Sequence, residues 1–299
     1  MKKQVKTFLP YLTSNITILI WMLPIFVILG LSSCKKDKDN PVLKEVLLKS
    51  NNTLGDILAD KDGRTLYFFA NDANGQNTCT AGCAAIWPIF YIEDLTQDKL
   101  GNGLKIEDFK TIVTSSGKEQ LSYKGWPLYY YAPLTGGTNI QEASGQTTGE
   151  GVNGVWFVAK ADYSIMFANH QLTGLNGKNY LSNYTEGVGK TLYFTDGMGL
   201  TLYTFKKDSA DNNNFTASDF SNNGVWPIYE TEKIVIPSIL DKSLFGSITV
   251  FGRKQLTYRK WQLYHFGQDG NIRGNNKGVS FPSVGIWPVP VKDMSNAPQ

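Results

Sequence analysis

Apolar residues are distributed along this chain in two different ways. From Ile16 to Leu31 they form one nearly unbroken run. Downstream they come in short runs rich in Tyr, Phe, Val and Ile, separated by Asp, Asn and Gly, with little spacing at the helical period. Runs of that kind, bounded by turn formers, predict strands. Clear cases are Thr65-Leu66-Tyr67-Phe68-Phe69, Pro127-Leu128-Tyr129-Tyr130-Tyr131 and Ser247-Ile248-Thr249-Val250-Phe251. The predicted fold class is all-β, made of short antiparallel strands.

The strand pattern repeats. Asp60-Lys61-Asp62-Gly63-Arg64-Thr65-Leu66-Tyr67-Phe68-Phe69 recurs as Asp196-Gly197-Met198-Gly199-Leu200-Thr201-Leu202-Tyr203-Thr204-Phe205, offset by 136 positions. Gln120-Leu121-Ser122-Tyr123 through Trp126 to Tyr129 recurs as Gln255-Leu256-Thr257-Tyr258 through Trp261 to Tyr264, offset by 135. The spacing predicts a tandem duplication. Each copy divides again into two halves. Every half has a Leu-Tyr strand followed 20 to 27 residues later by a tryptophan: Tyr67 and Trp87, Tyr129 and Trp156, Tyr203 and Trp226, Tyr264 and Trp287. The turn formers Gly174, Asn176, Gly177, Asn179 and Asn183 place the join within 165–185. The expected organisation is one β module at 51–165 and a second at 180–293, with a single four-bladed propeller-like ring as the alternative.

Within a half, Asp-x-x-Gly ahead of the strand predicts a turn, because aspartate bonds its own backbone and glycine accepts a positive φ. Leu66 and Phe68 then face one side and Tyr67 and Phe69 the other. Apolar residues on both faces predict a strand lying between two layers or beside an aromatic-lined surface. An aspartate three residues past the second aromatic (Asp72, Asp208, Asp269) is expected to end the strand. The tryptophans are expected as core anchors.

The first apolar run has a different meaning. Lys2, Lys3 and Lys6 precede it and Leu31-Ser32-Ser33-Cys34 closes it. A basic start, an apolar middle and a small-residue cleavage site are the layout of a lipoprotein signal peptide. The run has 16 residues and contains Pro24, against about 20 needed to span a bilayer. The expectation is a signal peptide at 1–33 and lipid on Cys34, with the membrane as partner through that anchor. The charged stretch after Cys34, within 34–50, reads as a solvated tether. It resembles the tethers of Bacteroidetes-type lipoproteins. No aspartate follows Cys34 directly, which favours the outer membrane of the cell envelope.

Three of the repeats share a finer signature. Tyr67-Phe68-Phe69-Ala70-Asn71-Asp72, Tyr203-Thr204-Phe205-Lys206-Lys207-Asp208 and Tyr264-His265-Phe266-Gly267-Gln268-Asp269 each read Tyr-x-aromatic-x-x-Asp. Cys79-Thr80-Ala81-Gly82-Cys83-Ala84 leads to Trp87-Pro88. Together these resemble the bacterial lipoproteins with a Tyr-x-(Phe/Trp/Tyr)-x-x-Asp motif, also called secreted repeats of unknown function, over about residues 54–291. The second half, with Tyr129 and Tyr131, departs from the pattern: Leu134 stands where its aspartate would be. The third half lacks the cysteines. The resemblance brings no established activity with it and implies that one pair of halves folds alone; no cofactor is expected.

With Cys34 lipidated, two thiols remain, Cys79 and Cys83. In an oxidising compartment they are expected to form a disulfide. A redox-active pair or a metal-binding pair are the alternatives. A metal would need further ligands, and the chain has only His170 and His265, neither near the pair in sequence. No metal site is expected. Neither histidine sits in a recognisable nucleophile–base pattern, and the asparagine-rich stretch from Asp208 to Asn214 reads as a polar turn, without the spacing of a calcium loop. No catalytic residue is assigned.

Charge narrows the partners. The chain has 29 Lys+Arg and 26 Asp+Glu; loss of the three signal-peptide lysines leaves the mature part balanced. Without a basic stripe, nucleic acid is not an expected partner. Two functions remain: a non-enzymatic envelope protein with a structural role or an unknown protein or small-molecule ligand, and an envelope redox accessory working through Cys79 and Cys83.

Overall fold

Each copy opens with a hairpin, and the hairpin shows why the Asp-x-x-Gly stretch is there. In the first copy, strand Val46–Asn51 pairs antiparallel with Gly55–Asp60, from Val46↔Asp60 to Asn51↔Gly55. Asp60 then turns the chain: its Oδ1 accepts the backbone N–H of Asp62 (3.0 Å) and Arg64 (2.8 Å), and Gly63 takes φ +81°. The second copy repeats this with Met166–Thr173 and Lys190–Thr195. There Asp196 Oδ1 accepts from Met198 and Leu200, both at 2.9 Å, and Gly199 takes φ +82°.

The structure, a computed structural model, describes residues 42–299. The expected signal peptide, Cys34 and the start of the tether lie outside the described residues. Two expected boundaries move. Val46–Asn51 falls inside the stretch 34–50 read as tether, yet it is a strand, and Val46 is fully buried. The second copy begins with Met166–Thr173, ahead of residue 180 and inside the expected join; Met166, Phe167 and Ala168 are fully buried. The cluster of turn formers lies inside the copy, between the paired strands Met166–Thr173 and Lys190–Thr195, where Asn179–Tyr180 adds a short third strand to the sheet.

The fold is all-β. Six small antiparallel sheets have two or three strands each, and Gly82–Ile86 is the one α-helix among the described residues. No sheet closes into a barrel. The sheets also lack the four-stranded blades of a propeller. A second hairpin recurs in each copy, Phe109–Val113 with Glu119–Tyr123 and Phe245–Val250 with Arg253–Tyr258. The closing rings meet at 4.8 Å (Phe109 and Tyr123) and 4.7 Å (Phe245 and Tyr258).

The Leu-Tyr strand separates two cores. Leu66 and Phe68 enter one large cluster, while Tyr67 and Phe69 enter another. The large cluster is common to both copies. A chain of rings crosses the join: Phe157 to Phe167 at 5.6 Å, Phe167 to Phe194 at 5.2 Å, Phe194 to Tyr258 at 4.8 Å. The copies are therefore repeats but not separate compact units; Val42–Gln299 is one unit. Arg273 of the second copy adds a polar bolt. Its guanidinium lies 4.0 Å from the Trp126 ring centroid and donates to the backbone oxygens of Lys124 (3.2 Å) and Met198. Burial pushes its pKa down to about 10.

Candidate functional site

In each copy the two Leu-Tyr strands meet at their tyrosines. Tyr67 and Tyr129 exchange backbone hydrogen bonds of 2.8 and 3.1 Å, and Tyr203 and Tyr264 exchange two of 2.9 Å. An antiparallel contact at equivalent residues relates the two halves by an approximate two-fold axis. Everything around it follows in pairs.

Each tyrosine hydroxyl reaches the acid of the other half. Tyr129 donates to Asp72 Oδ2 at 2.6 Å, Tyr264 to Asp208 Oδ2 at 2.7 Å and Tyr203 to Asp269 Oδ2 at 2.6 Å. Tyr67 donates to Glu142. The second carboxylate oxygen holds the acid's own loop. Asp72 Oδ1 accepts from Thr78 N (2.8 Å) and Oγ1 (2.6 Å), and Glu142 Oε2 from Thr148 N (2.9 Å) and Oγ1 (2.8 Å). Asp208 Oδ1 accepts from Asn214 N (2.7 Å), and Asp269 Oδ1 from Lys277 N (2.8 Å). Buried carboxylates need such partners. Desolvation still dominates: it raises Asp72, Asp208 and Asp269 to about 6, although the hydrogen bonds pull the other way. Glu142 and all four tyrosines are raised by burial too.

Glu142 shows what became of the missing aspartate. Leu134 lies in a small exposed hairpin, Leu134–Thr135 with Thr138–Asn139. The acid comes after that hairpin. The spacing from Glu142 to Thr148 equals that from Asp72 to Thr78 and from Asp208 to Asn214, a signal present in the sequence that a search anchored on the tyrosine misses.

The tryptophans of the two halves stack face to face. Trp87 and Trp156 lie 3.7 Å apart at 3°, and Trp226 and Trp287 3.7 Å apart at 10°. The third residue of each motif covers the outer faces. Phe69 stacks on Trp156 at 3.9 Å and Tyr131 packs on Trp87 at 4.4 Å; Phe205 packs on Trp287 and Phe266 on Trp226, both at 4.3 Å. The motif tyrosines meet the indoles edge-on at 5.1–5.4 Å. Each copy thus holds a four-ring ladder, with tryptophans only 1–3% exposed. Such pairs add about 0.5–1.5 kcal/mol each beyond the area they bury. One glycine per copy permits the packing. A Cβ on Gly149 would lie 2.9 Å from the Trp87 and Tyr67 rings, and one on Gly278 2.7 Å from the Trp226 and Tyr203 rings.

Cys79 and Cys83 are joined, with Cα atoms 5.3 Å apart, and pack against the first ladder. The second copy has Phe215 and Asn222 at the matching positions. Phe215 sits edge-on to Trp287 at 4.8 Å, and Asn222 Nδ2 donates to the Phe215 carbonyl at 2.6 Å. A hydrogen bond links the same two positions that the disulfide links in the first copy.

The histidines stand apart from the ladders. His265 places Nε2 3.6 Å from Asp196 and Nδ1 3.3 Å from the Thr201 carbonyl. Its counterpart Tyr130 donates to Asp60 at 2.9 Å, so the residue after the motif tyrosine supports the turn aspartate in both copies. Burial lowers both His170 and His265. Neither bonds a serine hydroxyl among the described residues.

Residues 50–90 match the model of a family described as a secreted repeat of unknown function. The match takes in Tyr67, Phe69, Asp72, both cysteines and Trp87, the contribution of one half to the first ladder. No curated protein and no solved structure matches the chain. Among the described residues no helix is long and apolar enough to cross a membrane.

Proposed function

We propose that this protein is a non-enzymatic protein of the cell envelope, anchored at the outer membrane through lipid on Cys34, whose tandem β repeats bind a ligand or partner or serve structurally. One observation carries the non-enzymatic part: each motif carboxylate is engaged on both oxygens, by the opposite tyrosine and by its own loop. The residues that define the repeat hold the halves together. The four motif acids are thereby committed to holding the halves together and are not free to act as base or nucleophile. The secreted-repeat match supports a location outside the cytoplasm.

Fractionation tests the anchor. The wild-type chain should sediment with membranes and take up labelled palmitate, and Cys34→Ser should abolish both. An unlabelled Cys34 would overturn the lipoprotein reading.

Redox work through Cys79 and Cys83 is the second reading. It is favoured by the place of Cys79 in the wall of a cavity of about 340 Å³, beside Asn77, Thr80 and Lys118. Against it, Phe215 and Asn222 do the same job without sulfur. A reduction potential below about −300 mV marks a structural disulfide, and one near −200 mV marks a working one.

A further inference from the structure

The two copies share a frame that they fill differently. In each, the loop ahead of the first tryptophan is tied to the second hairpin by one hydrogen bond: Asn77 Nδ2 donates to Gln120 Oε1 at 2.7 Å, and Asn213 Nδ2 to Gln255 Oε1 at 2.8 Å. In the second copy, rings occupy the space between that loop and the hairpin tip. Phe220, from the loop, meets Phe251, from the tip, edge-on at 6.1 Å, and the Arg253 guanidinium lies 4.7 Å from the Phe220 ring centroid. Phe220 reaches that place because its loop is longer: seven positions separate Phe215 from Asn222, against four from Cys79 to Cys83. In the first copy no aromatic residue stands in the wall. Ala81 and Ala84 lie on the loop, Ser115 and Ser116 at the tip, and Lys118 is the repeat mate of Arg253. The result is a cavity of about 340 Å³, within the range of small-molecule sites.

The second copy shows what the frame accepts. There a phenyl ring sits between loop and tip, so the same frame with the side chains cut back has room for a flat ring supplied by a ligand. Ala81, Ala84, Pro88 and Ile89 form the apolar part of the wall. Apart from Lys118 its polar part is uncharged, made of the amide of Asn77 and the hydroxyls of Thr80, Thr114, Ser115 and Ser116, and no carboxylate lines it. Ser116 is already bonded to Thr114 at 3.1 Å, whereas Thr80 and Ser115 are exposed. Amide and hydroxyl groups suit a neutral hydroxyl, which both donates and accepts. We propose that this cavity is a binding site for a small phenol, a single aromatic ring bearing a hydroxyl group. The inference rests on the binding reading above. The palmitate test of the anchor and the reduction potential of the disulfide are separate measurements, so its failure is distinguishable from theirs.

The test uses residues 42–299, one compact unit with its own core, and phenol as the probe. Cyclohexanol, with the same hydroxyl on a ring that is not flat, is the comparison. Titration is followed by the backbone amide signals in NMR spectra. The expected result is saturable phenol binding, with shifts at Thr80, Ala81, Ser115 and Ser116 and none at Thr216 and Phe251, the corresponding region of the second copy. Cyclohexanol should bind about fivefold more weakly, the share owed to a flat aromatic face. Ala84→Phe supplies a ring from the loop, as Phe220 does in the second copy, and Ser115→Phe supplies one from the tip, as Phe251 does; each should abolish phenol binding. The proposal is overturned by absence of saturable phenol binding up to about 10 mM, by equal affinity for the two probes, by shifts confined to other residues, or by binding that survives in either folded variant. Ala84 and Ser115 are both exposed, and should one variant fail to fold, the other decides.

Discussion

The two copies reach the same ladder by different means. The first closes the loop ahead of Trp87 with a disulfide, and the second closes the loop ahead of Trp226 with the Asn222 hydrogen bond and the Phe215 ring. The first uses Glu142 after an inserted hairpin, and the second uses Asp269 directly after its motif. What stays constant is the stacked tryptophan pair, the crossed tyrosine–carboxylate bonds and the glycine beneath the rings. The geometry of the repeat is thus held by packing and by buried hydrogen bonds. The staple is one of several ways to close a short loop over that packing.

The largest effect should come from the ladders. Trp156→Ala and Trp287→Ala should each cost about 3–5 kcal/mol in urea unfolding, in one cooperative transition because both copies share the large core. Two separate transitions, or a loss confined to one copy, would break the equivalence. Gly149→Ala and Gly278→Ala come next, at about 1–3 kcal/mol each, since the added methyl meets rings that are already stacked. A negligible cost in either would show that its ladder has room to shift.

The staple sharpens the comparison. Replacing both Cys79 and Cys83 by serine should cost about 2 kcal/mol, the chain-entropy value for so short a loop. Asn222→Ala should cost about 1 kcal/mol for the lost hydrogen bond. A reversed order would mean that the disulfide is carried for something other than stability.

Acidity gives the most diffuse effect, spread over three buried carboxylates. Unfolded aspartates titrate near about 3.9, whereas Asp72, Asp208 and Asp269 titrate at about 6 in the fold. Between those values the folded chain binds more protons than the unfolded one. Their contribution is therefore complete below the unfolded value and declines as pH rises to about 6, by up to about 1.4 kcal/mol per pH unit per group. Melting temperature followed from pH 4 to pH 7 should show that decline. The double change Asp208→Asn with Asp269→Asn should remove more of the slope than Asp72→Asn alone.

Strands, turns and the duplication were legible from local pattern. Asp60 and Asp196 make the turns their spacing predicts, and the two faces of the strand at Tyr67 enter two cores as its alternation requires. Boundaries were less legible. Val46–Asn51 follows a charged stretch whose composition predicts tether, and Met166–Thr173 precedes the turn formers whose clustering predicts the join. Both are strands whose place is set by partners supplied from later in the chain. Glu142, Gly149 and Gly278 escaped because their role depends on residues up to about eighty positions away.

By itself, the sequence determined the all-β class, the fourfold occurrence of tyrosine and tryptophan, and the turn chemistry, since these rest on residue type and near-neighbour spacing. Only the tertiary structure decided that each motif tyrosine bonds the acid of the opposite half, that tryptophans from different halves stack at 3.7 Å, and that the copies share one core. The reason is physical. A residue's pattern says that its side chain must be buried or bonded, but the partner is chosen by which surfaces a symmetric packing brings together.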